Sequence, residues 1–185
     1  PDQSSAASDV YKRQDIVTSF LPFWKHMRMW VVARPMTGFA ETFSQYVVQL
    51  EPNGGSDNPE ANSKVQSVLF LTSGSAELTI NSESYILKSG SYAYIPAGSE
   101  WSIWSNSHEE TNFHWIRKLY KDINGIERPA AFVKNENECE DIEMPNSNNT
   151  WFTKRFVEPD DIRHDMHVNI VTFKPGGVIP FAETH

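Results

Sequence analysis

The chain has 185 residues, of which 39% are hydrophobic, 12% aromatic and 22% charged, and its formal net charge is −8. This composition excludes disordered and collagen-like chains, and an acidic chain without basic clusters lacks the positive surface that binds nucleic acid or anionic membranes. The single cysteine, Cys139, excludes an internal disulfide and a cysteine-based zinc site.

The N-terminal segment differs in character from the rest of the chain. Residues 4–14 resemble the in-frame translation of a transposase sequencing adapter, so we treat residues 1–14 as non-native and expect the native N-terminus, with any targeting signal, to be missing. The apolar run that follows, 16–33, is interrupted by Lys25 and Arg28, which predicts that it does not span a membrane. We therefore expect a cytoplasmic protein.

From residue 42 onward, short runs of alternating apolar and polar residues are separated by Gly, Pro, Asn and Ser, as is typical of strands joined by turns. Strands are predicted at residues 43–50, 65–72, 76–80, 85–87, 91–95, 101–104 and 112–119. Helical periodicity is absent, and the regular spacing of the strands predicts an all-β sandwich or barrel. We assign residues 15–133 to this first barrel.

The next segment, 134–150, is rich in Asn, Glu and Asp and is predicted to be an exposed polar linker. Two further strands are predicted after it, at residues 151–156 and 166–173. The turn Pro175-Gly176-Gly177 that ends them matches the turn at Pro52-Asn53-Gly54-Gly55 in the first barrel, which indicates an internal repeat. We therefore expect residues 151–185 to be the start of a second, incomplete barrel.

Two short motifs indicate which kind of barrel this is. Residues 90–101 have the pattern G-x5-P-x-G-x2-W and resemble the second conserved motif of the cupins, which usually have a metal-binding histidine where this chain has Trp101. The first cupin motif supplies His-x-His and then a glutamate, but residues 55–71 contain no histidine and only Gln66 near the acidic position. Because a metal site needs three or four converging ligands, we expect the first barrel to be metal-free.

The end of the chain has the complementary pattern. Residues 177–185 fit the cupin spacing Gly-x5-His-x-His, with Glu183 in the place of the first histidine and His185 in the second. Residues two apart on a strand point to the same face, so these two side chains can bind one divalent ion. We predict Glu183 and His185 to be metal ligands.

These features together resemble one family. A metal-poor first barrel, the run at 90–96, and Asp165-Met166-His167 leading a strand to Pro-Gly-Gly and Glu-x-His are similar to the (S)-ureidoglycine aminohydrolases, two-cupin manganese enzymes of purine (allantoin) breakdown. Arg117-Lys118-x-Tyr120 also fits the family pattern. The resemblance extends over residues 16–185.

The resemblance implies a bicupin, built from jelly-roll-like double-stranded β-helix barrels, whose second barrel is truncated here. It implies Mn²⁺ bound by Glu183 and His185, a small-molecule substrate and a homo-oligomer in the intact protein. The other ligands, and most substrate-contacting residues, would lie beyond His185, so no catalytic residue is assigned. The chain alone is expected to be inactive and to leave Val168, Ile170 and Phe173 uncovered.

Two other functions stay open from the sequence. The parent protein could be another metal bicupin, such as a dioxygenase or an isomerase, although Glu183 in place of the first histidine argues against an iron-type His-x-His site. It could also be a binding bicupin without catalytic activity. His164 and His167 are three residues apart and would face opposite sides of a strand, which argues against a metal shared between them.

Overall fold

The structure, a computed structural model, describes residues 18–34 and 43–181. The described part of the chain is built from antiparallel strands, and its one helical element is a short 3-10 turn at Glu136–Glu138. The strands are β1 (Thr18–Ser19), β2 (Lys25–Ala33), β3 (Phe43–Ser56), β4 (Val65–Ser73), β5 (Ser75–Ile80), β6 (Glu83–Lys88), β7 (Ser91–Ile95), β8 (Trp101–Ser105), β9 (Thr111–Leu119), β10 (Phe132–Asn135), β11 (Ile142–Glu143), β12 (Trp151–Arg155) and β13 (Asn169–Phe173).

Ten strands form one curved sheet in the order β10-β7-β4-β9-β3-β8-β5-β6, with β2 also paired to β3 and β1 paired to β2. Strand β3 joins the two halves, because its residues 43–50 pair with β9 and its residues 55–56 pair with β8. The sheet therefore curls around its own apolar face into a barrel, and the all-β barrel predicted from the sequence is confirmed.

The interior of this barrel is strongly apolar. Its fully buried side chains include Leu50, Leu69, Leu71, Leu78, Leu87, Ile103, Phe113 and Trp115. Leu69 and Leu71 are two apart on β4, and the intervening Phe70 packs on the outer face, as the two-residue period of a strand requires. Alternation in the sequence thus determines which side chains fill the barrel.

Strand β3 is longer than predicted. The sequence indicates an end at Pro52–Gly55, whereas the strand continues to Ser56. A Cβ atom on Gly54 would lie 2.3 Å from the His26 carbonyl oxygen, and one on Gly55 would lie 2.1 Å from the Ile103 carbonyl oxygen. The two glycines therefore allow close backbone approach to both neighbouring strands instead of ending the strand.

The segment predicted to be an exposed linker is in part structured and buried. Its first two residues, Lys134 and Asn135, complete strand β10, which pairs with β7 and was not predicted. Cys139 and Ser147 are buried, and a capping box closes the 3-10 turn between Asn135 and Glu138. Polar composition misled the prediction here because these residues are held through their backbone and caps.

A second apolar cluster lies on the outer face of the barrel, over strands β10, β7, β4 and β9. Its buried members are Val68, Tyr92, Tyr94, Cys139, Phe156 and Met166. Phe156 and Met166 belong to the β12–β13 loop (residues 156–168), which packs along this face. The expectation that Val168 and Ile170 are uncovered is therefore wrong, since both pack against the cluster, whereas Phe173 is 44% exposed.

Strands β11, β12 and β13 form a separate three-stranded sheet, called here the small sheet. It shares no strand pairing with the barrel within the described residues, and it contacts the outer cluster of the barrel through the β12–β13 loop and Ile170 of β13. Within residues 18–34 and 43–181, no helix has the length and apolar character that crossing a membrane requires.

Candidate functional site

The loop between β7 and β8 carries the second cupin motif and ends at Trp101. The Trp101 side chain is 7% exposed and points into the barrel, where its ring lies edge-on to that of Trp115 at a centroid distance of 5.9 Å. Trp115 also contacts Trp24 and Tyr46, each at 5.6 Å. Aromatic rings thus occupy the space next to the position where cupins usually have a metal-binding histidine.

The acidic position of the first motif is also replaced. Gln66, the residue noted there in the sequence, faces the outside of the barrel, and its side-chain oxygen accepts a hydrogen bond from the Tyr94 hydroxyl at 3.0 Å. The neighbouring residue, Ser67, faces inward and accepts a hydrogen bond from Trp115 Nε1 at 3.1 Å. The interior therefore offers one hydroxyl at this position, already engaged by an indole.

The barrel interior does not fit a transition metal ion. Among the described residues, no group of three or more His, Cys, Asp and Glu side chains could hold one. Divalent ions in proteins require several converging imidazole, carboxylate or thiolate ligands. We therefore assign no metal-dependent step to the first barrel, and the absence of a metal ion from it stays a prediction.

Replacing Trp101 with histidine is expected to add no manganese site, because a single imidazole would have no partner ligands around it. Bound manganese per chain after loading and desalting should equal that of the wild type. The substitution should also lower the free energy of unfolding by about 3 kcal/mol through the cavity it leaves beside Trp115. One additional equivalent of tightly held manganese in the Trp101→His variant would contradict this expectation.

A cleft of about 390 Å³ lies at the mouth of the barrel, with Trp101 on one side and Asp57, Glu60 and Glu100 among its lining residues. Glu60 is not free for chemistry there, because Arg117 Nε donates to its carboxylate at 2.6 Å. The Arg117 guanidinium also lies 5.2 Å from the centre of the Trp115 ring. Arg117 of the family-like motif thus connects the mouth of the barrel to its aromatic core.

The other two residues of that motif contact the β12–β13 loop. Lys118 Nζ lies 3.1 Å from an Asp165 carboxylate oxygen and 3.0 Å from the Asp165 carbonyl oxygen. The Tyr120 hydroxyl donates to the Arg163 carbonyl oxygen at 3.1 Å. Asp165 also accepts a hydrogen bond from Gln66 Nε2, so barrel side chains hold the loop on both sides of His164.

His164 is buried between aromatic rings of the barrel. It lies edge-on to Tyr94 at 4.6 Å and to Phe132 at 6.1 Å, and its Nδ1 atom is buried without a hydrogen-bond partner. Burial lowers the pKa of His164 below its ordinary value of 6.5, and the nearby Asp161 carboxylate opposes this shift. His167, by contrast, is exposed, and neither residue lies in a strand. The structure thus places His164 in the aromatic cluster and His167 at the surface.

The lowered pKa of His164 predicts a loss of stability in mild acid. The folded protein binds fewer protons at His164 than the unfolded chain, so the free energy of unfolding falls as the pH drops below 6.5 towards the lower folded value. Arg163 holds the pKa of Asp161 at about 2, so that carboxylate stays charged throughout this range. Urea unfolding of the wild type and of His164→Phe between pH 8 and 5 tests this, since the variant should lose less stability. Equal losses in the two proteins would rule out His164 as the cause.

The predicted metal ligands Glu183 and His185 lie outside the described residues. The turn that leads towards them is ordered by backbone hydrogen bonds from Lys174 to the Thr150 carbonyl at 2.9 Å and from Gly177 to the Lys174 carbonyl at 2.8 Å. A Cβ atom on Gly177 would lie 2.7 Å from the Thr150 carbonyl oxygen, so only glycine fits this close approach. The Pro-Gly-Gly spacing noted in the sequence therefore corresponds to a turn fixed on the small sheet.

Comparisons with known proteins agree with this architecture. Residues 46–117 match the family model described as a cupin domain. The chain is 24% identical over 170 residues to (S)-ureidoglycine aminohydrolase of Escherichia coli strain K12, covering 92% of this chain and 63% of that protein. The resemblance predicted from the motifs is thus confirmed.

Two crystal structures extend the comparison. A Pseudomonas aeruginosa protein assigned as glyoxylate-induced is 54% identical with a TM-score of 0.86, over 92% of this chain and 64% of that one. Protein Ylba from Escherichia coli is 23% identical with a TM-score of 0.80, over 93% and 66% of the two chains, and supports the fold alone. The chain therefore spans slightly less than two thirds of the length of the relatives it matches.

Proposed function

From the premise that the chain has the cupin fold and contains a cupin domain at residues 46–117, we propose that it is part of an (S)-ureidoglycine aminohydrolase. The observation that carries the proposal is the resemblance to the Escherichia coli enzyme over 92% of the chain. Under this proposal, residues 15–133 form a barrel without a metal site, and residues 151–185 begin a second barrel that holds the metal site.

The reaction would replace the amino group of (S)-ureidoglycine by a hydroxyl from water, giving (S)-ureidoglycolate and ammonia. The reacting carbon carries both an amino and a ureido group, so ammonia can leave once the amine is protonated. Cupins commonly bind metals, and we propose Mn²⁺ for this one. When bound, Mn²⁺ would supply Lewis-acid stabilisation and hold the substrate in one orientation.

The chain's own contribution to this site would be Glu183 and His185. A carboxylate and an imidazole are a donor set suited to a divalent ion such as Mn²⁺, and the negative charge of Glu183 partly neutralises it. The first barrel would contribute no ligand, which agrees with its aromatic interior around Trp115. The expected cytoplasmic location and homo-oligomeric state stay predictions.

Ammonia release from freshly generated (S)-ureidoglycine tests the proposal, using metal-depleted protein expressed from its complete gene and assayed with and without added manganese. We expect release to depend on added manganese and to be abolished by a chelator. A protein that binds manganese but releases no ammonia would support a different metal bicupin, such as a dioxygenase or an isomerase. A protein that binds neither manganese nor another divalent ion would support a non-catalytic binding role.

A further inference from the structure

The β12–β13 loop is unusually well anchored for an irregular segment of thirteen residues. Phe156 at its start stacks on Tyr92 of the barrel, with ring planes 7° apart and centroids separated by 4.5 Å. Near its end, His164 packs against Tyr94 and Met166 is buried in the same cluster. Long loops with such packing are uncommon in compact domains and are often functional.

Asp165 makes polar contacts with two barrel side chains, in addition to the hydrogen bond between Tyr120 and the Arg163 carbonyl oxygen. Its carboxylate accepts from Gln66 Nε2 and pairs with Lys118 Nζ, while the second polar atom of the Gln66 side chain is satisfied by Tyr94. Gln66 is fully buried, whereas Asp165 is exposed, so the carboxylate reaches the buried amide of Gln66 from the solvent side. A buried polar group that loses its hydrogen-bond partner lowers the stability of the fold. The pairing of Asp165 with Gln66 therefore favours one position of the loop on the barrel.

We propose that Asp165 is a positioning residue, which together with Gln66 and Lys118 fixes how the small sheet sits on the barrel. The small sheet has no strand pairing with the barrel in the described residues, and strand β13 begins four residues after Asp165. The orientation of β13 sets the direction of the chain towards the turn at Gly177. The functional part of this inference rests on the proposed function, because the segment after that turn carries Glu183 and His185.

Hydrogen exchange of the 185-residue chain, followed by mass spectrometry of its peptides, tests the inference. In Asp165→Ala, the backbone amides of the β12–β13 loop and of β13 should exchange at least about tenfold faster, because the substitution removes a charge-assisted hydrogen bond to the buried amide of Gln66. Asp165→Asn keeps an acceptor for Gln66 and should restore most of the protection. This rescue distinguishes a specific hydrogen bond from simple packing.

Ser67→Ala is the matched control, since Ser67 neighbours Gln66 on β4 but faces the interior and bonds to Trp115. It should speed exchange in the barrel strands without a selective change in residues 156–173. The inference is overturned if Asp165→Ala leaves exchange of the loop within about twofold of the wild type. It is equally overturned if exchange rises uniformly across the barrel, because Asp165 would then act on barrel folding and not on placement of the loop.

Measuring manganese binding distinguishes a failure of this inference from a failure of the proposed function. In the protein expressed from its complete gene, the manganese affinity of the Asp165→Ala variant should be lower than that of the Asp165→Asn variant. If Glu183→Ala keeps its manganese, the proposed site fails whatever the exchange data give. If manganese binding needs Glu183 but loop exchange is unaffected by Asp165→Ala, the site stands and the positioning role fails.

Discussion

Replacing Trp115 with alanine is expected to destabilise the barrel by about 3–5 kcal/mol, a large share of the 5–15 kcal/mol that typically holds a domain folded. Trp115 is 1% exposed and contacts Trp24, Tyr46 and Trp101 through its ring. Its loss would open a cavity in the middle of these rings and would also remove the donor that satisfies Ser67. Urea unfolding monitored by far-ultraviolet circular dichroism measures the effect.

Trp104→Ala, on strand β8, provides the control. Trp104 is half-buried on the outside of the barrel, where its indole donates to Asp57 at 2.9 Å and Lys25 lies 5.7 Å from its ring centre. Because these contacts are near the surface, we expect a loss of about 1 kcal/mol. Equal losses for the two tryptophans would contradict a core built around Trp115.

Most of the barrel was predictable from the two-residue alternation of its strands. Strands β3 to β9 were all predicted, because each places apolar residues inward at alternate positions and ends near a turn residue. Strand β2 was missed, although Arg28 alternates with Met27 and Met29 and both methionines lie in the core, because the continuous apolar run at 29–33 obscures the alternation. Strand β10 was missed because it lies in a polar segment and is held by backbone pairing with β7.

The site was less predictable than the fold. The motif spacing predicts that Trp101 takes the histidine position, but it could not show that Gln66 faces outward, since a shift of one residue reverses the face of every side chain on a strand. Asp165 was noted only as part of a family-like run. Its partners Gln66 and Lys118 are 99 and 47 residues away in sequence, and only the fold brings them together.

The largest functional effect is expected from Glu183→Ala or His185→Ala in the protein expressed from its complete gene. Substituting residues that only support metal ligands typically costs 10–100-fold in affinity or activity, so removing a ligand should weaken manganese binding by more than about 100-fold. Glu183→Ala also removes a negative charge that would stabilise the proposed ion, which should make it the more damaging of the two. Bound manganese and ammonia release from (S)-ureidoglycine are measured in parallel.

Glu158→Ala is the matched control, because Glu158 is an exposed carboxylate of the β12–β13 loop and should retain both manganese and activity. If the second barrel holds the ion, both site variants should lose metal and activity, whereas Glu158→Ala should keep both. A Glu183→Ala or His185→Ala protein that keeps stoichiometric manganese and full ammonia release would show that these residues are not ligands. If a variant loses its manganese but still releases ammonia, the reaction does not need the metal. Other residues of the protein would then have to protonate the leaving amine and orient water unaided.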